Sequence, residues 1–272
     1  MRNVDFYVDR DIPLRIRSLQ GTMRSIRGGP VLFDDKRSFI IGIEAADVGL
    51  TAKDLSLLLN KYVFGYRGSP LSNLRITISG DELIQKGTIH KVAAFPFEMH
   101  AVLSATPDGR IRMHPTRTEI IGIKVDRLMK GLGLPLEKII DLSKARGATV
   151  KENDIYLDPA LILPPPRIEG KISAVRIEPG QIVMTFGSAV AAPLRVPDST
   201  AANYMYYRGG TLRFGKLVML DADMLITELD PADAFQFDLD RYKQQLIAGY
   251  SRTLQSDGLE VWMRDIGKLH RK

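Results

Sequence analysis

Phe95-Pro96-Phe97-Glu98-Met99-His100-Ala101-Val102-Leu103 puts Phe95, Phe97, Met99, Ala101 and Leu103 on one side of an extended chain, and Glu98 and His100 on the other. A period of two is the pattern of a half-buried strand. Pro107-Asp108-Gly109 then turns the chain. Pro fixes φ on the way in, and Gly takes a positive φ without steric cost. Ile111 and Met113 resume an apolar face opposite Arg110, Arg112 and His114. The stretch predicts an antiparallel hairpin of long strands.

The same pattern extends outward. Leu74-Arg75-Ile76-Thr77-Ile78-Ser79 alternates and runs into the turn signal Gly80-Asp81. Ile172 to Ile177 leads through Glu178-Pro179-Gly180 to Ile182, Met184 and Phe186, and Ile155-Tyr156-Leu157 adds a further strand. Near the start Leu14-Arg15-Ile16-Arg17 alternates, and Phe39, Ile41 and Ile43 share a face. Consecutive strands joined by short turns are expected to pair antiparallel.

Helices interrupt this rhythm in few places. Thr51-Ala52-Lys53-Asp54 reads as a capping box with Asp in place of Glu or Gln. Behind it Leu55, Leu58, Leu59 and Tyr62 form one apolar stripe, a spacing repeated by Val125, Leu128, Met129 and Leu132. Pro135 suits the first turn of a third helix. A fourth is expected from a cap at Asp238, with Leu239, Tyr242, Leu246 and Tyr250 inward. Pro164-Pro165-Pro166 is a stiff connector, and the aperiodic stretch from Ser188 to Ser199 separates a body, residues 1–187, from an extension, residues 188–272, expected to pack on the same domain. The fold class read from this is α+β: a long, curved antiparallel sheet wrapped around one or more helices, with a C-terminal β/α extension.

Composition sets outer bounds. The 272 residues are 44% hydrophobic and 26% charged, values of a globular chain that buries a substantial core. The absence of cysteine removes disulfides, zinc thiolates and a cysteine nucleophile. No stretch approaches the roughly 18 consecutive apolar residues of a spanning helix. Met1 to Asp11 is polar and does not read as a leader, so an exported protein would carry this sequence after leader removal, the cytoplasm being the alternative.

Signatures of catalysis are missing. There is no phosphate-binding loop, no dinucleotide fingerprint around Gly131-Leu132-Gly133, no His-Glu-x-x-His and no Gly-x-Ser-x-Gly. His90, His100, His114 and His270 show no metal-ligand spacing, and no metal or cofactor is expected. The acidic stretch containing Asp221, Asp223, Glu228, Asp230, Asp233, Asp238 and Asp240 offers oxygen ligands for calcium or magnesium, or carboxylate pairs for hydrolysis. Its spacing fits no EF-hand, and it reads first as a solvated edge with turn and cap residues. Net charge is +6, with basic faces at Arg15 and Arg17 and at Arg110 and Arg112. Such faces suit an anionic headgroup or membrane surface. Aromatics are only 7% and sit on apolar faces, which argues against nucleic acid as a partner.

Many strands with one apolar face and few helices to cover them point to a sheet curled around a helix, with an interior that ligand and side chains can share. The order of elements is familiar: the Leu50-Thr51-Ala52-Lys53-Asp54-Leu55 helix start, Ser69-Pro70-Leu71-Ser72, the Leu74–Ile78 strand, Phe95-Pro96-Phe97, Asp158-Pro159 before the triple proline, and the final hairpin from Ile168. Over residues 10–187 this resembles the LmeA-like exported lipid-binding proteins of bacteria and, more broadly, the tubular lipid-binding (TULIP) superfamily. The resemblance implies non-catalytic binding or transfer of phospholipid-like molecules in the cell envelope. The expected lining is Leu55, Leu58, Leu59, Tyr62, Phe95, Phe97, Met99, Val125, Leu128 and Met129, with Arg15, Arg17, Arg110 and Arg112 for the headgroup. The alternatives are an envelope scaffold with a filled core that recruits partners through strand edges, and a hydrolase using Asp221 or Asp223. Oligomeric state is not legible.

Overall fold

The computed structural model describes residues 1–90, 93–120, 135–187, 196–197, 201–254 and 256–269. The first part of the chain holds β1 (Arg2–Asp9), β2 (Ile12–Ser25), β3 (Val31–Leu32), β4 (Phe39–Thr51) and helix α1 (Ala52–Leu58), which a π turn prolongs over Leu59–Val63. Then come β5 (Leu71–Ser79), β6 (Glu82–His90), β7 (Ala94–Ala105), β8 (Ile111–Ile120), β9 (Ala148–Lys151), β10 (Asp154–Leu157), the single-turn α2 (Pro159–Ile162) and β11 (Arg167–Glu169). The hairpin β12 (Ile172–Glu178) and β13 (Gln181–Gly187) follows. The last part holds β14 (Tyr204–Arg208), β15 (Leu212–Phe214), β16 (Leu217–Met219), β17 (Asp223–Glu228), β18 (Phe235–Asp238), α3 (Tyr242–Ile247), β19 (Tyr250–Thr253) and β20 (Leu259–Met263). Strands take 55% and helices 12% of the described residues, a sheet-rich α+β fold. No described helix is long and apolar enough to cross a membrane.

The chain folds into two compact units. One comprises Leu50–Pro164 and Lys171–Thr185, the other Met1–Gly49, Pro165–Gly170 and Phe186–Lys272. The stretch expected as an extension thus shares a unit with the N-terminal strands.

In the Leu50–Thr185 unit the sheet runs β5-β6-β7-β8-β10-β9, antiparallel at every pairing. The Pro107-Asp108-Gly109 turn forms as its residues dictate, with Gly109 at φ +90°. The Gly109 carbonyl accepts from Ile172 N at 3.2 Å, which ties the turn to the start of β12. Helix α1 begins at the Thr51–Asp54 capping box. It docks on β5, the edge strand, through side chain to backbone bonds. Ile76 N donates to Ser56 Oγ at 2.8 Å, Leu74 N to Asn60 Oδ1 at 2.9 Å, and Asn60 Nδ2 to Leu74 O at 2.7 Å. These bonds satisfy edge groups that would otherwise invite another strand.

In the other unit the strand order is β4-β2-β1-β14-β17-β20-β19, with β11 beside β4 and β18 beside β1. Among the described residues three pairings of this sheet are parallel, β1 with β18, β4 with β11, and β17 with β20, and β3 with β15 is a fourth parallel pair in the unit. The expectation of antiparallel pairing holds for neighbours in sequence such as β1 and β2, but these parallel pairs join segments far apart in the chain. A three-stranded sheet, β16-β15-β3, accompanies them. The core is aromatic: the Phe33 ring centroid lies 5.2 Å from Phe214 and 5.4 Å from Tyr207, both edge-on.

Two expected helices are corrected. The third shrinks to a 3₁₀ turn over Leu136–Lys138. The fourth is the short α3, and it does not start at Asp238. That carboxylate accepts from Asp240 N and Arg241 N, capping the turn ahead of the helix. Tyr242 is buried as expected, but Gln245, not Leu246, is the next buried residue. Tyr250 is 56% exposed on β19, where it stacks on Trp262 at 4.7 Å. Gly249 explains the early stop: a Cβ there would come within 1.8 Å of the Trp262 carbonyl oxygen, so the chain turns directly into a strand beside β20. The second expected helix, around Val125 to Leu132, lies outside the described residues.

Candidate functional site

Strand register builds one apolar chamber inside the Leu50–Thr185 unit. Leu103, Met113 and Ile155 stand side by side on β7, β8 and β10. Ile111 and Leu157 form the next row on the same face. Leu55 and Leu59 enter from α1 and the π turn, and Ile182 and Met184 from β13. Gln85 is the only polar residue among the described lining. The chamber volume is about 40 Å³. An engineered apolar cavity of about 150 Å³ takes benzene, so an acyl chain enters only if the lining moves apart.

Of the residues expected to line such a chamber, Leu55 and Leu59 do so. Leu58 is fully buried, outside the lining. Tyr62 is half-buried, with the Lys61 ammonium 5.4 Å from its ring centroid. Phe97 and Met99 are buried elsewhere along β7, and Phe95 is half-buried at its start. Phe97 lies opposite Gly87, where a Cβ would meet its ring at 3.1 Å, so the missing side chain makes room for it. Val125, Leu128 and Met129 lie outside the described residues. Sequence reasoning missed Ile76, Leu103, Ile111, Met113, Ile155, Leu157, Ile182 and Met184 as lining. Their alternation was visible, but the convergence of their faces was not.

The basic residues are divided between the units. Arg15 is half-buried on β2, and Arg17 lines a groove of about 790 Å³ between β2 and β14. In that groove Arg24 pairs with Glu169 at 2.5 Å and Arg208 with Asp223 at 2.6 Å. Arg110 pairs with Asp108 at 2.7 Å and lies over the Tyr156 ring at 4.9 Å. Arg112 donates to Asp154 at 2.7 Å, and the same carboxylate bonds His114 at 2.6 Å. Burial acts to raise the Asp154 carboxyl, but Arg112 and His114 outweigh it and hold it below its usual range. Ile111 and Met113 face the chamber, so Arg112 lies on the opposite face of β8, with Arg110 in the turn just before the strand.

Of the acidic stretch, Asp221, Asp230, Asp233 and Asp240 are exposed, as a solvated edge requires, whereas Asp223, Glu228 and Asp238 are buried. Asp223 takes bonds from Tyr206, Arg208 and Ser256. Carboxylate oxygens of Glu228, Asp233 and Asp265 lie within 4.8 Å of one another, with no histidine in the group. Burial pushes the Glu228 carboxyl up to about 8; the Asn203 amide opposes this and the Asp265 carboxylate adds to it. His90 bonds Ser72 at 2.8 Å, and His100 sits between Glu98 and Glu82 at 3.0 and 3.1 Å. His270 lies outside the described residues. Comparison of the chain with protein-family models, curated proteins and solved structures finds no match.

Proposed function

We propose that the Leu50–Thr185 unit binds a phospholipid-like hydrophobic ligand without covalent chemistry, as a lipid-binding or lipid-shuttling protein of the bacterial cell envelope. The chamber carries this reading: strands and helix α1 converge on one space whose described lining has a single polar residue. The tubular lipid-binding superfamily would lead one to expect a sheet curled around a helix, and α1 and strands β5, β6, β7, β8 and β10 all contribute to the lining. Each acyl methylene buried there contributes about 0.8 kcal/mol, so a chain of even moderate length offsets some parting of the lining. Entry is gated by side chains and by α1, which is short and held on β5 by the bonds of Ser56 and Asn60. Arg110 and Arg112 already have acidic partners, so a headgroup near them would exchange Asp108 or Asp154 for phosphate.

The chamber volume of about 40 Å³ favours a second reading, an envelope scaffold whose interior is filled by its own side chains. Solvent extraction of the purified protein, with mass spectrometry against a mock purification, separates the two. Near-stoichiometric lipid, lost in Leu103→Trp, supports ligand binding. A blank extract, followed by failure of added phospholipid vesicles to load the protein, returns the unit to a filled core.

A further inference from the structure

The Glu228, Asp233 and Asp265 cluster belongs to the other unit and plays no part in the chamber. Glu228 closes β17, Asp233 lies in the loop that follows, and Asp265 comes two residues after β20. Glu228 is 4% and Asp265 2% exposed. Acidic residues gathered at a surface are commonplace, but buried carboxylate oxygens without a donor are not. Glu228 Oε2 is buried and receives no hydrogen bond, and the one cation beside the buried Asp265 Oδ2 is the Lys268 ammonium at 3.0 Å. Asp265 Oδ1 is satisfied by Gln236 N at 3.0 Å. The counter-charge is Lys268, whose Nζ lies 3.0 Å from Asp265, 3.0 Å from Asp230 and 3.4 Å from Asp233. One ammonium therefore serves three carboxylates, and Glu228 is not among them.

More oxygen collects beside them. The Asn203 side-chain nitrogen faces Glu228 Oε1, the Asp233 carbonyl and, at 3.3 Å, the Pro231 carbonyl. An amide NH₂ carries two hydrogens, so three acceptors around it exceed what it can donate. The oxygens gathered here, of which Glu228 Oε2 is buried without a donor, outnumber the hydrogens of Asn203, and every ligand atom on offer is a carboxylate or a carbonyl. This is the donor set of a hard cation, and the mixture of carboxylates with irregular backbone carbonyls suits calcium better than octahedral magnesium.

We propose that Glu228, Asp233 and Asp265, with backbone carbonyls of the 231–233 loop as additional donors, form a calcium site that fastens the end of β17 to the segment after β20. Lys268 holds the position in the absence of calcium. Its side chain is 39% exposed and can leave for solvent when the divalent ion binds. Asp233 is exposed and offers the ion its way in.

The test uses the full chain stripped with chelator, then titrated with calcium chloride or magnesium chloride at matched ionic strength. Calorimetric titration gives stoichiometry, and thermal unfolding gives the shift. One calcium per chain and a rise in Tm of roughly 2–8 °C at about 5 mM calcium are expected, with a smaller response to magnesium. Asp233→Asn, at an exposed position that does not endanger folding, weakens calcium binding about tenfold, and Lys268→Gln tightens it. Absence of calcium binding in both the wild type and Lys268→Gln overturns the site. Undiminished affinity in Asp233→Asn also overturns it, and an equal response to magnesium overturns the assignment to calcium.

Discussion

Thr51 and Asp54 cap each other at the start of α1: Asp54 N donates to Thr51 Oγ1 at 3.1 Å, and Thr51 N donates to Asp54 Oδ2 at 3.2 Å. Both bonds satisfy donors at a helix end that has no intrahelical partners for them. Asp54 is 5% exposed, so solvent does not replace a lost bond. Thr51→Ala and Asp54→Ala are each expected to lower stability by about 1–2 kcal/mol, read as a shift of the urea midpoint at constant m-value. An unchanged midpoint in both variants would show that α1 is held by its docking on β5 alone.

Gly109 combines φ +90° with a close neighbour: a Cβ would lie 2.7 Å from Lys171 Cβ and 2.8 Å from its Cα. Gly109→Ala therefore meets both backbone strain and overlap with the start of β12. A loss of about 2 kcal/mol or more is expected by chemical denaturation. Gly80→Ala is the control: its φ is +58° but nothing lies within 4 Å of the added Cβ. It should lose less, and equal losses would mean that the overlap at Lys171 is relieved without cost.

His100 accepts or donates to Glu98 at 3.0 Å and to Glu82 at 3.1 Å, and its imidazolium is favoured first by Glu98 and then by Glu82, which raises its pKa above the ordinary 6.5. Lys86 beside Glu98, and Thr116 and Arg117 near Glu82, also hold these carboxylates. A group whose folded pKa is raised contributes stability that is complete below its unfolded pKa and disappears as pH rises through the folded value. Stability of the wild type relative to His100→Gln should therefore decline on going from pH 6 towards alkaline pH and level off there. Parallel curves for the two proteins would rule this linkage out.

Leu59 lines the chamber and is 3% exposed. Leu59→Ala should lose about 2–5 kcal/mol of stability while enlarging the apolar space. Uptake of a small hydrophobic fluorophore is expected to increase in this variant at temperatures where it remains folded. A loss of stability with no gain in uptake would mean that neighbouring side chains collapse into the vacated space.

Local chemistry was legible in the sequence wherever it acts over a few residues. The Thr51–Asp54 cap, the Pro107-Asp108-Gly109 turn and the Glu178-Pro179-Gly180 turn all form where their residues require. The α3 region failed for the opposite reason. A helical period ran to Tyr250, but the approach of Gly249 to the Trp262 carbonyl ends the helix at Ile247. Tyr250 then stacks outward on Trp262 rather than packing inward. The strand partner that imposes this comes from residues that no local window includes.

The chamber lining followed the same division. Alternation placed Leu103, Met113 and Ile155 each on an apolar face, because period two is a property of one strand. Only register across β7, β8 and β10 set them side by side, while leaving Phe97 and Met99 of the same β7 face outside the chamber. The carboxylates show it most clearly. Glu228 and Asp233 read as members of one acidic stretch, and Asp265 lies far from both in the chain. The parallel pairing of β17 with β20, Glu228 opposite Met263, brings Asp265 beside them. Sequence by itself determined strands, turns and caps, whose free energy is local. Tertiary structure decided which faces and charges meet, because parallel pairing joins segments whose contact no neighbouring residues encode.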